Sequence, residues 1–546
     1  MGKFLSAFLM VIFCTSLYSQ NFHEEDKEGL RNILRQMSSQ NSKSNLECLG
    51  LTTTDTVSWN VSEEWITVIH NNIGAIYVDW EWSIATPSRL IRLEINSFTD
   101  EYQLSGILDC NYFQELEILN FSGSSFGQLK VWETPKLKQL DCSDNDLTEL
   151  DLSRCVSLWQ LNCSGNKLTE IDLSTNQDLG VLNCSNNLIS ILDVSKQKNL
   201  NSLYCSDNEI TNLSLSANLE LVSLDCSNNL ISQLDWSKND KLEFLSCSGN
   251  PLDTEINLSS KTMLRSFYGS DIQASTLVAP QSEELALLYF PYNNVSSLNV
   301  AQNTNLEYLY CFNNKLTSLD LLQNTKLDQL NCSYNQLEVL KIDSQLSSLL
   351  MNNNNLRFST MQVNPALNHN VMVYSPQKII DAGEIEVEDI IDLNSEYSIN
   401  GTFTTFNWYN ESEDPITLPY LEDGRFEANI SYVNQIITCK MTNAFLPDLT
   451  VIYQVKIVDT ITGIKEDKLR NEVLIYPNPV SDILHIEAQN PIKGIKLYDM
   501  VGRVVRIESQ ESVKYEISVS ELPAGMYILK TRMASGNDVV YKMEKK

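Results

Sequence analysis

Histidine is nearly missing from this chain: His23, His70, His369 and His485 are the four it has in 546 residues. They are scattered, which leaves a histidine metal cage or a Ser-His-Asp relay almost nothing to be built from. Positive charge is also scarce. Lys and Arg number 39 against 70 Asp and Glu, for a formal net charge of −31. Nucleic-acid binding needs Lys/Arg stripes that neutralise phosphates, and adhesion to anionic lipid needs the same. No nucleophile elbow, phosphate-cradling glycine loop, CxxC pair or His/Glu metal helix occurs. Past the N-terminus no run is long and apolar enough to span a bilayer. The expectation is a protein without enzyme activity, cofactor, metal, nucleic-acid partner or transmembrane segment in its mature form.

Packed cores are affordable, with 42% apolar and 20% charged residues. At about 100–200 residues per domain, the length corresponds to three or four units. The first, residues 1–19, reads as a secretory signal: Lys3, the apolar run Phe4–Phe13, then small and polar residues, with cleavage expected after Ser19. From Glu24 to Met37, Leu30, Ile33, Leu34 and Met37 follow i, i+3, i+4, i+7 spacing, an amphipathic helix. Together with Trp59, Trp65, Trp80 and Trp82 it makes residues 20–87 the expected N-terminal cap of a repeat array.

Residues 88–365 are periodic. Cys142, Cys163, Cys184, Cys205, Cys226 and Cys247 stand 21 apart, as do Cys311 and Cys332. Tyr268, Phe290 and Phe121 are read in the same register, with the inserted residue placed before Phe290. Three residues further on lies a second ladder: Asn145, Asn166, Asn187, Asn208, Asn229 and Asn250, then Asn293, Asn314, Asn335 and Asn354. One unit reads Leu137-Lys-Gln-Leu140-Asp-Cys142-Ser-Asp-Asn145-Asp-Leu147-Thr-Glu-Leu150-Asp-Leu152. Fixed-period similarity marks a solenoid. Alternation along a strand points Leu140 and Cys142 inward and Asp141 outward. Each Asn is expected to bond the bend and the next turn, since a buried amide must be satisfied. A second short strand is expected at Leu150–Leu152. The stretch Met263–Ile272 fits the register poorly, and irregular end turns are expected where one face needs capping.

The pattern L-x-x-L-x-C-x-x-N-x-L resembles the leucine-rich repeat, in the short form found in bacterial surface proteins. The resemblance implies a binding scaffold with a concave strand face.

Thirteen cysteines in a secreted chain invite a disulfide reading. Equivalent cysteines on stacked turns point the same way, about one strand spacing apart, which suits disulfide geometry poorly. No second ligand type accompanies them, so the expectation is a row of buried, reduced thiols acting as small apolar groups. The recurring Asp141, Asp151, Asp172, Asp193, Asp225 and Asp235 read as solvated faces, not as acid/base pairs.

Two β modules complete the chain. In residues 366–462 short strands alternate with turn residues, as in a β-sandwich. Trp408 and Cys439 resemble the core Trp and second cysteine of an immunoglobulin-like domain, although the usual first cysteine is missing. Residues 463–546 read as a small sandwich of about seven strands. The motifs Tyr476-Pro-Asn-Pro479, Asp482–Ile486, Ile495–Arg503 with Gly502, and Leu522-Pro-Ala-Gly525-Met-Tyr527 resemble the type A C-terminal sorting domain of the type IX secretion system. That resemblance implies passage across the outer membrane on the type IX machinery, with the domain often cleaved and the protein released or attached to surface lipopolysaccharide.

The fold class expected is therefore mainly β, with few helices: a leucine-rich repeat solenoid, an immunoglobulin-like sandwich and a small C-terminal sandwich. The function expected is a secreted or cell-surface protein presenting its concave face to an extracellular protein or glycan. A structural surface component is the alternative. Outward positions read turn by turn are small or polar in the early units (Gln139, Asp141, Gln160, Asn162, Asn183, Asp225). Later units place Tyr289, Tyr292, Tyr308, Tyr310, Phe312 and Tyr334 outward, and these six are expected to form one ligand-binding patch.

Overall fold

The computed structural model describes residues 24–35, 76–82, 89–97, 105–252, 255–363, 371–459, 473–500, 502–508, 511–534 and 538–546. The signal segment, Trp59, Trp65, Cys14 and Cys48 lie outside them. The chain divides into two compact units, described separately: Met1–Ile379 with Ser398–Thr405 and Met441–Ile452, and the remainder from Ile380 to Lys546.

The first unit is built on one sheet of 15 strands. It opens with an antiparallel pair, Ile76–Trp82 on Leu90–Ser97, and continues as parallel strands, one per turn. The central strands are only three residues long: Gln139–Asp141, Gln160–Asn162, Val181–Asn183, Ser202–Tyr204 and Ser223–Asp225. Leu140, Leu161, Leu182, Leu203 and Leu224 are direct register partners, all buried. Strands so short cannot hold themselves. Burial of the Leu and Cys side chains between turns, about 1.5–3 kcal/mol for each large aliphatic, is what stacks them.

The asparagine ladder seals the stack. Asn166 Nδ2 donates to the Cys142 carbonyl at 2.9 Å, and to Cys163 and Ser164 carbonyls at 3.1 and 3.2 Å, while its Oδ1 accepts the Leu147 N–H at 2.9 Å. Asn187, Asn208, Asn229 and Asn335 repeat the set. The reach is therefore into the preceding turn, and not the next one as expected. The side chain leaves the strand end pointing toward the turn already laid down, where a carbonyl and an N–H both lack backbone partners.

Both ends of the sheet are closed by residues outside the repeat. Asp26, fully buried in the helix Glu24–Arg35, accepts from Arg89 Nε and Nη2 at 3.0 and 2.9 Å and from the Leu90 N–H at 2.8 Å. At the far end Val371–Val373 pairs with Ser348–Leu350, which carries the sheet past the loss of the leucine period near Pro365. There Gln377 takes the asparagine's part, donating to the Met351 carbonyl and accepting the Leu356 N–H.

The opposite side of the solenoid departs from the expected second strand. Leu150–Leu152 is buried at Leu150 and Leu152 but forms no strand. This side carries a second buried polar ladder: Asn176, Gln197, Asn218 and Asn239. Asn176 Nδ2 reaches the Leu152 and Cys155 carbonyls of the preceding turn at 3.2 and 2.8 Å, and Gln197 and Asn218 repeat this. Strands do pair on this side in other turns, those followed by Thr134, Ser282 and Ser344. These are Ser105–Asp109 with Ser125–Lys130, Glu255–Asn257 with Thr276–Val278, and Ser318–Leu321 with Val339–Ile342.

The stretch around Met263 is not irregular. Ser266–Tyr268 pairs in register with Phe244–Ser246 and Leu287–Tyr289. Phe267 aligns with Leu245, so Gly269, not Tyr268, occupies the cysteine position. The inserted residue lies earlier than expected, between Leu252 and Ile256. Gly269 has no side chain because the Phe267 ring fills that space: a Cβ there would come within 2.6 Å of it.

All 11 described cysteines are buried and unpaired. Burial raises their thiols, Cys184, Cys247 and Cys332 to about 12. The repeated aspartates are turn residues: Asp151, Asp172, Asp193 and Asp235 each accept the N–H of the serine two residues on.

Beyond Ile379 a six-stranded sheet has the order Ile380–Glu386, Leu446–Val458, Ile436–Asn443, Thr402–Tyr409, Ser398–Ile399, with Pro415–Ile416 beside Thr402–Tyr409. Trp408 and Cys439 are buried, and the indole meets Phe426 edge-on at 5.2 Å. The last module is a second six-stranded sheet, one fewer than about seven. The difference is the long strand Ile483–Asp499: its first half pairs with Val473–Tyr476 and Ser512–Ser518, its second with Val504–Glu508 and Gly525–Met533. Its core is Val480, Leu484, Ile486, Ile495, Leu497, Ile517 and Leu529.

Candidate functional site

Each short strand shows two side chains to the outside, flanking its inward leucine. Through most of the early turns this outer face is polar and self-satisfied, with Val181 and Tyr204 as exceptions. Asp141 Oδ1 accepts from the Ser143 N–H and hydroxyl at 3.0 and 2.6 Å, and Asp225 binds Ser227 the same way. Asn162 holds Ser164 and donates to Asp141 Oδ2 at 3.1 Å.

From Phe244 onward the same positions turn aromatic. Tyr268, Tyr289 and Tyr310 are consecutive register partners, so the 21-residue period lays them in one row across the strands. Their ring centroids are 5.8 and 5.5 Å apart, tilted by 41° and 54°. Phe244 extends the row at 5.6 Å from Tyr268. Phe312 lies edge-on to Tyr289 at 6.4 Å and to Tyr292 at 5.2 Å. Such edge and tilted arrangements are the favoured ones for aromatic pairs. Tyr310 donates its hydroxyl to Gln329 Oε1 at 2.6 Å. Burial, then the neighbouring Tyr308 and Asp328, raise the Tyr310 phenol, so it stays protonated at neutral pH.

Of the six aromatics expected here, Tyr289, Tyr292, Tyr310 and Phe312 are joined by ring contacts. Tyr308 is a register partner of Leu287 and Gln329, half-buried beside them. Tyr334 stands apart. It shares with Tyr292 the left-handed turn position, at φ 52° and 57°, but Asn313 occupies that position in the turn between them. Both are exposed, at 53% and 56%. Phe244 and Tyr268 lie outside the six expected site residues; the sequence register puts Tyr268 on the inward ladder, whereas the structure turns it outward. The signal was present: Leu252 is followed by its next buried aliphatic, Ile256, four residues on, where Leu147 is followed by Leu150, three on.

Among the described residues no cluster of His, Cys, Asp and Glu is arranged to hold a metal ion. No described helix is long and apolar enough to cross a membrane.

A parallel sheet of repeated short strands, with leucines, cysteines and an asparagine ladder inside it, defines a leucine-rich repeat solenoid. Sequence comparison agrees: a leucine-rich repeat profile matches residues 304–343, and the secretion system C-terminal sorting domain matches residues 474–544. The chain is a leucine-rich repeat protein that carries a type IX secretion sorting domain at its C-terminal end. Among solved structures, the functional domain of InlJ from Listeria monocytogenes, described as including a cysteine ladder, is 28% identical with a TM-score of 0.55, over 67% of this chain and 81% of that one. YopM from Yersinia enterocolitica is 24% identical with a TM-score of 0.41, over 48% of this chain and 55% of that one. No curated protein matches the chain.

Proposed function

We propose that this is a binding protein, secreted or held at the cell surface, that engages an extracellular protein or glycan on the concave strand face of its solenoid. The aromatic row Phe244–Tyr268–Tyr289–Tyr310 with Tyr292, Tyr308 and Phe312 carries the reading, and Tyr334 lies at its margin. Tyr292 and Tyr334 are exposed and the other rings half-buried, and contiguous aromatic surface that reaches solvent marks interaction sites. These side chains do not belong to the inward ladder that holds the fold, so folding does not account for them. Tyrosine supplies apolar area with a hydrogen-bonding tip.

The test is a screen of the purified full chain on protein and glycan arrays beside the Tyr289→Ala/Tyr310→Ala variant. Ligands bound by the wild type should be lost or weakened by about 2 kcal/mol in the variant. Unchanged capture by a folded variant would remove this face from consideration.

Export is the second part of the proposal. The signal segment at residues 1–19 takes the chain across the inner membrane, and the sorting domain hands it to the type IX machinery. The immunoglobulin-like module at residues 366–462 serves as a spacer between the two working parts. Deletion of residues 476–546 should leave the protein in the periplasm. Surface display of the truncated chain would refute the assignment.

A further inference from the structure

The aromatic row has an electrostatic partner that the sequence pattern does not advertise. The residues immediately preceding the strands of these turns are Glu243, Arg265, Ala286, Glu307 and Asp328. Their single cation, Arg265, is held by Glu243 at 3.1 Å and Glu284 at 3.5 Å. Glu307 and Asp328 make no ion pair among the described residues. They flank the strand Tyr308–Tyr310 and its neighbour Gln329–Asn331, beside the Tyr310 end of the row. Some acids on the solenoid are neutralised by a lysine one turn away, as in Lys167 with Asp146 at 2.6 Å and Lys138 with Glu117 at 2.8 Å, and Glu307 and Asp328 are not among them. The aromatic turns therefore combine π faces with carboxylates left open.

The rings also restrict what can sit on them. Tyr268, Tyr289 and Tyr310 lean against one another, so each flat face is partly covered by its neighbour. A broad pyranose finds no open platform there, whereas a guanidinium or the stem of a lysine needs less area. The Tyr310 proton is committed to Gln329, which leaves its oxygen as an acceptor. Lys and Arg side chains bring donors and no acceptor, so they match this site, as they match the carboxylates. A cation within about 6 Å of a ring centroid gains from the ring quadrupole as well.

Building on the binding role proposed for this face, we infer that its ligand is a basic polypeptide segment. Its Arg or Lys side chains lie over Tyr289 and Tyr310, with their charges directed to Glu307 and Asp328.

The experiment titrates the purified full chain with a fluorescent oligoarginine peptide, with a neutral β-linked glucan oligosaccharide as the comparison probe. Three folded variants are compared with the wild type: Tyr289→Ala/Tyr310→Ala, Glu307→Gln/Asp328→Asn, and Asp151→Asn/Asp172→Asn. The last removes the same charge from turns remote in sequence from the row. Oligoarginine should bind the wild type, lose about tenfold in affinity in the tyrosine variant and about threefold in the Glu307/Asp328 variant. The Asp151/Asp172 variant should bind as the wild type does. Equal binding by all variants, or equal loss in all three, would mean diffuse attraction to an acidic protein and would overturn the inference. Tyrosine-dependent binding of the glucan without tyrosine-dependent binding of oligoarginine would overturn the basic-peptide inference while sparing the concave-face reading. Array ligands that survive the tyrosine substitutions would sink both.

Discussion

The turns around Gln160–Asn162 and those around Tyr308–Tyr310 share one interior and differ outside. Inward, both offer a leucine, a buried cysteine and an asparagine with the same bonds to the preceding turn. Outward, the first shows Asn162 tied to Ser164 and Asp141, the second a run of rings beside carboxylates left open. Stability and the recognition proposed for the outer face thus fall on alternate residues of the same three-residue strands. Because strand side chains alternate between faces, one set can change without disturbing the other.

That separation can be broken most severely from the inside. Asn208→Ala would leave the Ile189 N–H and the Cys184 carbonyl buried without partners. The expected cost is about 3 kcal/mol or more in urea unfolding. Asn162→Ala, on the outer face, should cost about 0.5 kcal/mol or less. If the two cost the same, the division between interior and exterior is wrong.

Cys205→Ser places a hydroxyl where the fold has an apolar thiol and should cost about 1–3 kcal/mol. Native protein at about pH 8 should leave the ladder thiols unlabelled by a thiol reagent, since burial raises them far above the ordinary value. Mass mapping that found Cys163, Cys184, Cys205 or Cys226 bridged to one another would contradict this. By contrast, Tyr289→Ala should shift stability by no more than about 1 kcal/mol, the scale of a cross-strand pair, while reducing ligand capture.

The smallest effect expected is on pH. Hydrogen bonds from Ser153, Ser174, Ser195 and Ser237 hold Asp151, Asp172, Asp193 and Asp235 below the usual carboxylate range. A depressed folded value means that the stabilisation is present above the unfolded value, about 3.9, and is lost as pH falls through the folded one. Replacing the four by Asn keeps the acceptor and should flatten the acid limb of a stability curve, with little change at neutral pH. An unchanged acid limb would assign that sensitivity elsewhere.

The inner ladder was legible because its residues are invariant in type: Cys and Asn recur at one spacing through most of the turns. The second ladder escaped notice because its members differ. Thr134, Cys155, Asn176, Gln197, Asn218, Asn239, Lys261 and Ser282 occupy equivalent buried places, and several chemistries meet the same need there. Lys261, wholly buried, does so by donating to the Asn239 carbonyl at 3.2 Å and to Asp240 at 3.0 Å. The aromatic patch was legible in its later half, where the cysteine register restarts at Cys311. One inserted residue before Phe267 hides Tyr268, since a shift of one position exchanges inside for outside.

Both ladders reach backward, and this gives the solenoid a direction of assembly. Each turn arrives with the amides that close the turn before it, and leaves its own carbonyls open for the next. A chain that folds from its N-terminal end therefore completes each turn one step behind the newest one. Asp26 and Arg89 supply the foundation, and only the newest edge remains unsealed. Gln377 ends the process by sealing without presenting another repeat. A turn removed from the middle can be bridged by the next turn's equivalent amides, whereas losing Gln377 would leave the last edge permanently open, as an unfinished course at the top of a wall.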